Sequence, residues 1–297
     1  MVPRSDVPLT WGAQLAHAER LLAGHVGISA RDEALTLLGA LLSEPVTLLL
    51  ARPNTPMRPA DVETYVNWVE RRLAGEVTPH ITGHLAFMGL NLAVTSDSPL
   101  VSPAAQGLVE VALECARYRT PGELSGAHVG AGCGALAMAL VTFEPRFARI
   151  YAVDPSADAL RVAAANGVRY LLSLVIDWRE GDGLDAVPEP VDLIVCDLPA
   201  HLEAAQSVDV PRARAATLSS QGEQLFEQAS EKLRPGGTLL CALDSELEPE
   251  ALAALARTLP AARIWATPSS GGLIIAAAQL PRSATSQAGD ATFESGR

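Results

Sequence analysis

A chain of 297 residues, 48% of them hydrophobic, has enough apolar mass for one large domain or two and is not globally disordered. Its formal net charge is −12 and Lys232 is its single lysine, which argues against general nucleic-acid binding, where phosphate contacts dominate affinity. No apolar run reaches the ~18 residues of a membrane span, and the first residues carry an acid and no signal-type apolar core, so a cytoplasmic protein is expected, acting on a protein or a small molecule.

Residues 1–76 read as a small helical domain. Leu15, Leu21 and Leu22 recur at helical spacing, followed by Ala34, Leu35, Leu37, Leu38, Leu41 and Leu42. Pro45 suits the first turn of a short third helix, and a fourth runs over 61–74 with Tyr65, Trp68, Val69 and Leu73 as its apolar stripe. A domain of this kind suits recognition of a partner or substrate. Residues 77–100 read as a connector with a β-hairpin, where Leu90, Leu92 and Val94 alternate beyond Phe87.

Residues 101–280 carry a repeating βα pattern. The spacing predicts a helix over 103–117, with Gln106, Glu110 and Glu114 on a solvated face. A short strand precedes Gly130, a helix follows over 135–141, and a strand over 149–153. Ser156 caps a helix over 157–166 that Gly167 stops. A third strand falls within 170–176, and 191–196 is apolar enough to be buried on both faces. The helix over 220–233 closes at Arg234-Pro235-Gly236-Gly237, and strand 238–242, helix 249–259 and strands 263–266 and 272–279 complete the pattern. Residues 281–297, rich in Ser, Thr, Ala and Gly, read as a disordered tail.

Alternating strands and helices imply a mostly parallel sheet covered on both faces. The link Thr267 to Gly271 is too short for a parallel crossover, so the last strand runs antiparallel. This α/β, Rossmann-like sheet of seven strands with an antiparallel last strand is the layout of class I methyltransferases. The cysteines Cys115, Cys133, Cys196 and Cys241 lie far apart and form no CxxC pair, so they read as buried thiols with neither a zinc site nor a disulfide frame.

The chemistry centres on Ala127 to Asp154. A strand runs into Gly130-Ala131-Gly132-Cys133-Gly134, then a helix, then a strand ending in Asp154-Pro155. Glycines at such a turn let the backbone approach a ligand, the helix N-terminus offers free N–H groups, and a terminal acid can bind a ribose diol. Gly130, Gly132 and Ala135 fit a relaxed dinucleotide pattern; Gly130, Gly132 and Gly134 fit the tighter loop of S-adenosylmethionine enzymes. The second cofactor is favoured by Asp154, by Gly181-Asp182-Gly183 after the third strand and by the Pro-containing turn after the fourth. Asp182 would accept from the adenine amino group and the Gly183 N–H would reach a ring nitrogen.

Over residues 10–280 the chain resembles the glutamine N5-methyltransferases of peptide-chain release factors, the HemK/PrmC family. Arg71-Arg72-Leu73-Ala74-Gly75-Glu76 followed by His80-Ile81-Thr82-Gly83 looks like the family's connector, and Phe87, Gly89-Leu90 and Val94 match its hairpin. The resemblance implies that the helical domain helps bind the release factor and that the sheet domain binds S-adenosylmethionine. Three departures stand out. The family's acid before the glycine loop is here His128. Its Pro-Arg-x-x-Thr-Glu segment is Val101-Ser102-Pro103-Ala104-Ala105-Gln106, and its Asn-Pro-Pro-Tyr turn is Asp197-Leu198-Pro199-Ala200. In that turn a side-chain oxygen and a carbonyl hold the target nitrogen's hydrogens and aim its lone pair at the methyl group. The expected catalytic residues are therefore Asp197 and Pro199, in an N-methyltransferase acting on a protein glutamine amide or a similar planar nitrogen. The alternative is a relative that binds S-adenosylmethionine or a protein partner without turnover. A base methyltransferase is opposed by the charge.

Overall fold

A computed structural model describes residues 7–24, 29–96, 98–119, 121–197 and 220–282. The predicted tail from 283 onward, Pro199 and the rest of its turn lie outside the described residues. Packing divides the described chain into two units with the break after His84, inside the segment read as a connector.

The first unit is helical: α1 (Trp11–Leu22), α2 (Ala30–Leu42), α3 (Val46–Ala51), α4 (Pro59–Leu73) and the short α5 (Thr78–Thr82). Its core is built from the apolar stripes, with Leu15, Leu22, Leu37, Leu38, Tyr65 and Val69 buried together. The hydroxyl of Tyr65, sunk in that core, donates to Ala34 O at 2.9 Å. The Arg71–Glu76 stretch is a knot of polar contacts. Arg71 pairs with Glu76 through Nε at 2.7 Å. Arg72, only 8% exposed, donates through Nε to the equally buried Glu33 at 3.4 Å, and Thr78 Oγ1 donates to the same carboxylate. Helix α5 was not expected from the sequence. Val77-Thr78-Pro79 starts it with a proline in the first turn, and five residues are too few for a readable period.

The second unit opens with the hairpin β1 (His84–Phe87) and β2 (Leu90–Ala93) and continues as α6 (Ala105–Arg117), β3 (Leu124–Val129), α7 (Ala135–Phe143), β4 (Phe147–Asp154), α8 (Ala157–Arg169), β5 (Ile176–Glu180), β6 (Val191–Asp197), α9 (Ser220–Lys232), β7 (Leu233–Asp244), α10 (Glu248–Thr258), β8 (Arg263–Pro268) and β9 (Leu273–Gln279). The seven strands of the sheet lie in the order β5-β4-β3-β6-β7-β9-β8. The first five are parallel, and β9 runs antiparallel to both β7 and β8, as the short link required. Helices α6 and α7 and the hairpin cover one face, and α9 and α10 cover the other.

Three elements differ from the sequence reading. The third strand is Ile176–Glu180, beyond the 170–176 window. The apolar residues that suggested the earlier window, Leu171 and Leu174, are 89% and 87% exposed. The true strand, Ile-Asp-Trp-Arg-Glu, lies at the sheet edge and needs no continuous apolar run. Helix α8 continues through Gly167, whose missing side chain makes room for Trp178: a Cβ there would lie 3.2 Å from the indole. Leu233, read as the last helical residue, and Arg234 to Gly237, read as the helix stop, already belong to β7.

Removing one partner of a buried ion pair leaves the other charge without compensation. Arg72→Ala should therefore cost the helical unit about 3–5 kcal/mol. The paired replacement Glu33→Leu with Arg72→Met should cost much less. Urea unfolding of the two variants checks the difference.

Candidate cofactor and acceptor site

The C-terminal ends of β5, β4, β3 and β6 lie side by side, and each carries one of the residues singled out in the sequence. At the end of β3 the chain turns through Gly130–Gly134 into α7. The Gly130 and Ala131 N–H groups both donate to Val153 O at 2.9 Å, and the Gly132 N–H donates to Asp154 Oδ2 at 2.8 Å. The loop is thus stitched to the end of β4. Asp154 is 4% exposed, and its Oδ1 also accepts from the Ser156 N–H at 2.9 Å. Each carboxylate oxygen keeps a free lone pair for a further donor. Pro155 follows, exposed, and Ser156 caps α8 through an Ala159 N–H at 3.2 Å.

Two glycines of the loop differ in what their bare Cα faces. At Gly130 (φ +80) a Cβ would meet no described atom within 4 Å, so the backbone is open to a ligand there. At Gly134 (φ +89) a Cβ would lie 2.7 Å from the Trp178 ring. The second glycine serves packing, and only the first has the open approach expected of the whole loop. The turn after β5 places Asp182 in solvent and Gly183 against the side chain of Gln228 on α9. Gln228 Oε1 accepts from the Leu184 N–H at 2.8 Å and so fixes that turn.

Strand register puts His128, Asp154 and Asp197 on one face of the sheet. His128 lies opposite Ala152 of β4 and Val195 of β6, each two residues before the corresponding acid. Asp197 Oδ2 accepts from the Ser102 N–H at 2.9 Å, while its buried Oδ1 has no partner among the described residues. Burial pushes the Asp197 carboxyl above the usual carboxylate range, against the opposing pull of the Ser102 hydrogen bond. His128 is 1% exposed and neither ring nitrogen has a partner among the described residues. Burial lowers its pKa to about 4, so the imidazole is neutral at pH 7.

These unpartnered atoms bear on whether S-adenosylmethionine fits. Buried polar groups in folded proteins are nearly always paired, and three atoms unpaired among the described residues, near a glycine whose bare Cα is open, are a donor and acceptor set that fits a polar ligand. The thiols offer no rival chemistry. Burial pushes Cys133 up to about 11, and burial together with the nearby Glu114 charge pushes Cys115 to a similar value. Cys196 and Cys241 are also raised, so all four are protonated at neutral pH. Among the described residues no cluster of three His, Cys, Asp or Glu side chains could hold a metal ion, and no helix is long and apolar enough to cross a membrane.

Four residues at the site escaped the sequence reading: Ser102 and Gln228, described above, Trp178 and Asn166. Asn166 is 1% exposed and grips the loop, donating to Cys133 O at 3.0 Å and to Ala93 O at 2.9 Å while accepting from the Ala93 N–H at 2.8 Å. A signal for it was present: Asn166 continues the apolar stripe of Ala159, Leu160 and Ala163, and a polar residue on such a stripe needs a buried partner. Ser102 acts through its backbone, so its side chain carried no signal.

The chain is similar to known methyltransferases along most of its length. Residues 117–268 match the family described as Methyltransferase small domain, and residues 13–83 match the PrmC N-terminal domain. The release factor glutamine methyltransferase of Moorella thermoacetica is 31% identical over 270 residues, which cover 86% of this chain and 92% of that protein. The corresponding protein of Cereibacter sphaeroides is 30% identical over 267 residues, 86% of this chain and 93% of its own. Among solved structures, a T. thermophilus 16S rRNA methyltransferase in complex with AdoMet and guanosine aligns with a TM-score of 0.50 at 18% identity, over 66% of this chain and 49% of that one. That likeness shows the fold alone.

Gly134→Ala tests the packing of the loop. The left-handed backbone costs an alanine about 1–2 kcal/mol, and crowding against the indole adds to it. A total loss of at least about 2 kcal/mol is expected by urea unfolding. Adding Trp178→Leu should recover the crowding part only, which a double-mutant cycle reads as favourable coupling.

Proposed function

The chain belongs to the release factor glutamine methyltransferase family, and from that premise we propose that it transfers a methyl group from S-adenosylmethionine to the side-chain amide of a glutamine in a peptide-chain release factor. The similarity over 86% of the chain supports the reaction. The observation that carries the site is Asp197 Oδ1 at the end of β6, which has no partner among the described residues, beside the open glycine of the loop after the neighbouring β3. When bound, S-adenosylmethionine supplies an electrophilic methyl group on a sulfonium. The protein's part is to hold the cofactor and present the amide nitrogen in line, since placement is most of what methyl transfer requires.

In this reading Gly130, Ala131, Gly132 and Gly134 form the wall of the cofactor site. Asp154, with Pro155 beside it, uses its remaining lone pairs for the ribose hydroxyls, and Asp182 and Gly183 meet the adenine. Asp197 is the catalytic acceptor. Its Oδ1 takes a hydrogen bond from the amide N–H, with the Ser102 N–H fixing Oδ2. Pro199 shapes the turn behind it. The helical unit, with residues 13–83 matching the PrmC N-terminal domain, recognises the release factor, and the protein works where release factors act, in the cytoplasm. A nucleic-acid base as acceptor is disfavoured by the net charge of −12.

Calorimetric titration with S-adenosylmethionine and S-adenosylhomocysteine should give dissociation constants of about micromolar order, and labelled cofactor should mark a glutamine of the release factor. Binding without transfer to any release factor would leave the non-catalytic reading standing. A second expectation concerns acidity. Protonation removes the charge of Asp197 and turns one of its oxygens into a donor, which weakens its hold on an amide N–H, so kcat/KM is full above its folded pKa and falls as the pH drops through it. Because that pKa is raised, the fall begins at a higher pH than for an exposed carboxylate of pKa ~3.9. Asp197→Asn keeps an acceptor oxygen that does not titrate and should abolish this acid limb. Asp197→Ala should lower kcat by about 100-fold or more.

A further inference from the structure

The end of the sheet opposite the site carries an uncovered apolar edge. Helices α6, α7 and α8 each return the chain to the start of a strand, and the strands they feed, β3, β4 and β5, are consecutive neighbours. Each return exposes large apolar side chains: Tyr118 before β3, Phe143 before β4, and Val168, Leu171 and Leu174 before β5. Hydrogen bonds hold the three returns side by side. Arg146 donates to Ala116 O at 2.7 Å, the Leu124 N–H donates to Arg146 O at 2.8 Å, and the Ile150 N–H donates to Val175 O at 2.9 Å. Single exposed leucines are ordinary, but a row of apolar side chains along one edge marks an interaction surface. Leu171 adds a second mark. It follows α8 in the left-handed region (φ +60), where glycine is usual. A side chain that is 89% exposed contributes almost nothing to the core, so the fold itself does not need a leucine there.

Arginines stand among these side chains. Arg117 and Arg149 are exposed and make no hydrogen bond or ion pair among the described residues. Arg169, also exposed, donates to Asn91 O at 3.2 Å and lies over the Tyr170 ring. Of the nearby acids, Glu144 is held by Arg146 and acts on Arg117 only at longer range, while Glu114 and Glu123 are exposed. We propose that this edge docks a protein segment that is both apolar and acidic: an amphipathic helix with leucine-like residues on one face and carboxylates beside them. The charges decide between occupants. A second copy meeting this edge with its own would set arginines against arginines. Nucleic acid could use the arginines, but exposed leucines offer neither charge nor a ring for stacking. An anionic membrane would meet a chain of net charge −12. Because the candidate site lies at the other ends of the same strands, a docked helix leaves it open.

The test uses two labelled synthetic helices with the same leucine face, one flanked by glutamates and the other by lysines, followed by fluorescence anisotropy. The full chain should bind the glutamate helix with a Kd of about 100 micromolar or tighter, at least about 10-fold better than the lysine helix. Raising the salt from about 0.05 to about 0.5 M should remove most of that preference. Leu171→Gly combined with Leu174→Ser deletes two apolar contacts and should weaken the glutamate helix by about 10-fold or more. Leu171→Gly alone relieves the left-handed backbone, so it should raise the urea midpoint while weakening the helix. Those opposite signs exclude misfolding as the cause. No binding of the glutamate helix, equal binding of the two helices, or binding that the leucine variants leave unchanged overturns the inference. So does self-association in sedimentation, or flotation with vesicles of phosphatidylcholine and phosphatidylglycerol, that the same variants abolish, since either would assign the edge to another occupant.

Discussion

The Asp154 carboxylate fixes the geometry on which the site depends. One oxygen receives the Gly132 N–H and the other the Ser156 N–H, so a single buried side chain holds the glycine loop and the start of α8 to the end of β4. Val153 O takes the two preceding loop N–H groups. The consequence is directional. Loop N–H groups turned toward β4 are not available to a ligand, and the loop offers instead the bare Cα of Gly130 and the start of α7. Asn166 closes the arrangement from behind by tying Cys133 to the hairpin. A loop held at three points is preorganised, and a preorganised wall lowers the ordering cost of binding.

The buried half of the fold was legible in the sequence because burial leaves a periodic trace. Central strands such as Val191–Asp197 read as apolar runs, and the short Thr267–Gly271 link was enough to determine the direction of β9. Legibility failed where burial is partial. The edge strand β5 is mostly polar, while the exposed Leu171 and Leu174 imitated a strand just before it. Gly167 read as a stop because a missing side chain looks the same in sequence whether it frees the backbone or makes room for Trp178.

The site was legible as a set of residue types at strand ends, and not as a set of contacts. Asp154, Asp197 and the glycines are where the alternation of strands and helices puts them. The residues that orient them are silent for a physical reason: Ser102 acts through a main-chain N–H, and Gln228 reaches the turn after β5 from a helix, 44 residues beyond Leu184. Backbone donors and long-range side chains leave no local pattern. Asn166 is the exception, since a polar residue on an apolar stripe is itself a mark.

Two of the three departures from the family pattern balance each other. Where the resemblance implies an acid before the glycine loop, this chain has the neutral His128; where it implies a neutral asparagine after β6, this chain has Asp197. The positions lie on the same face of neighbouring strands, two residues apart in register. A carboxylate has in effect moved from the end of β3 to the end of β6, and the formal charge of the buried face is unchanged.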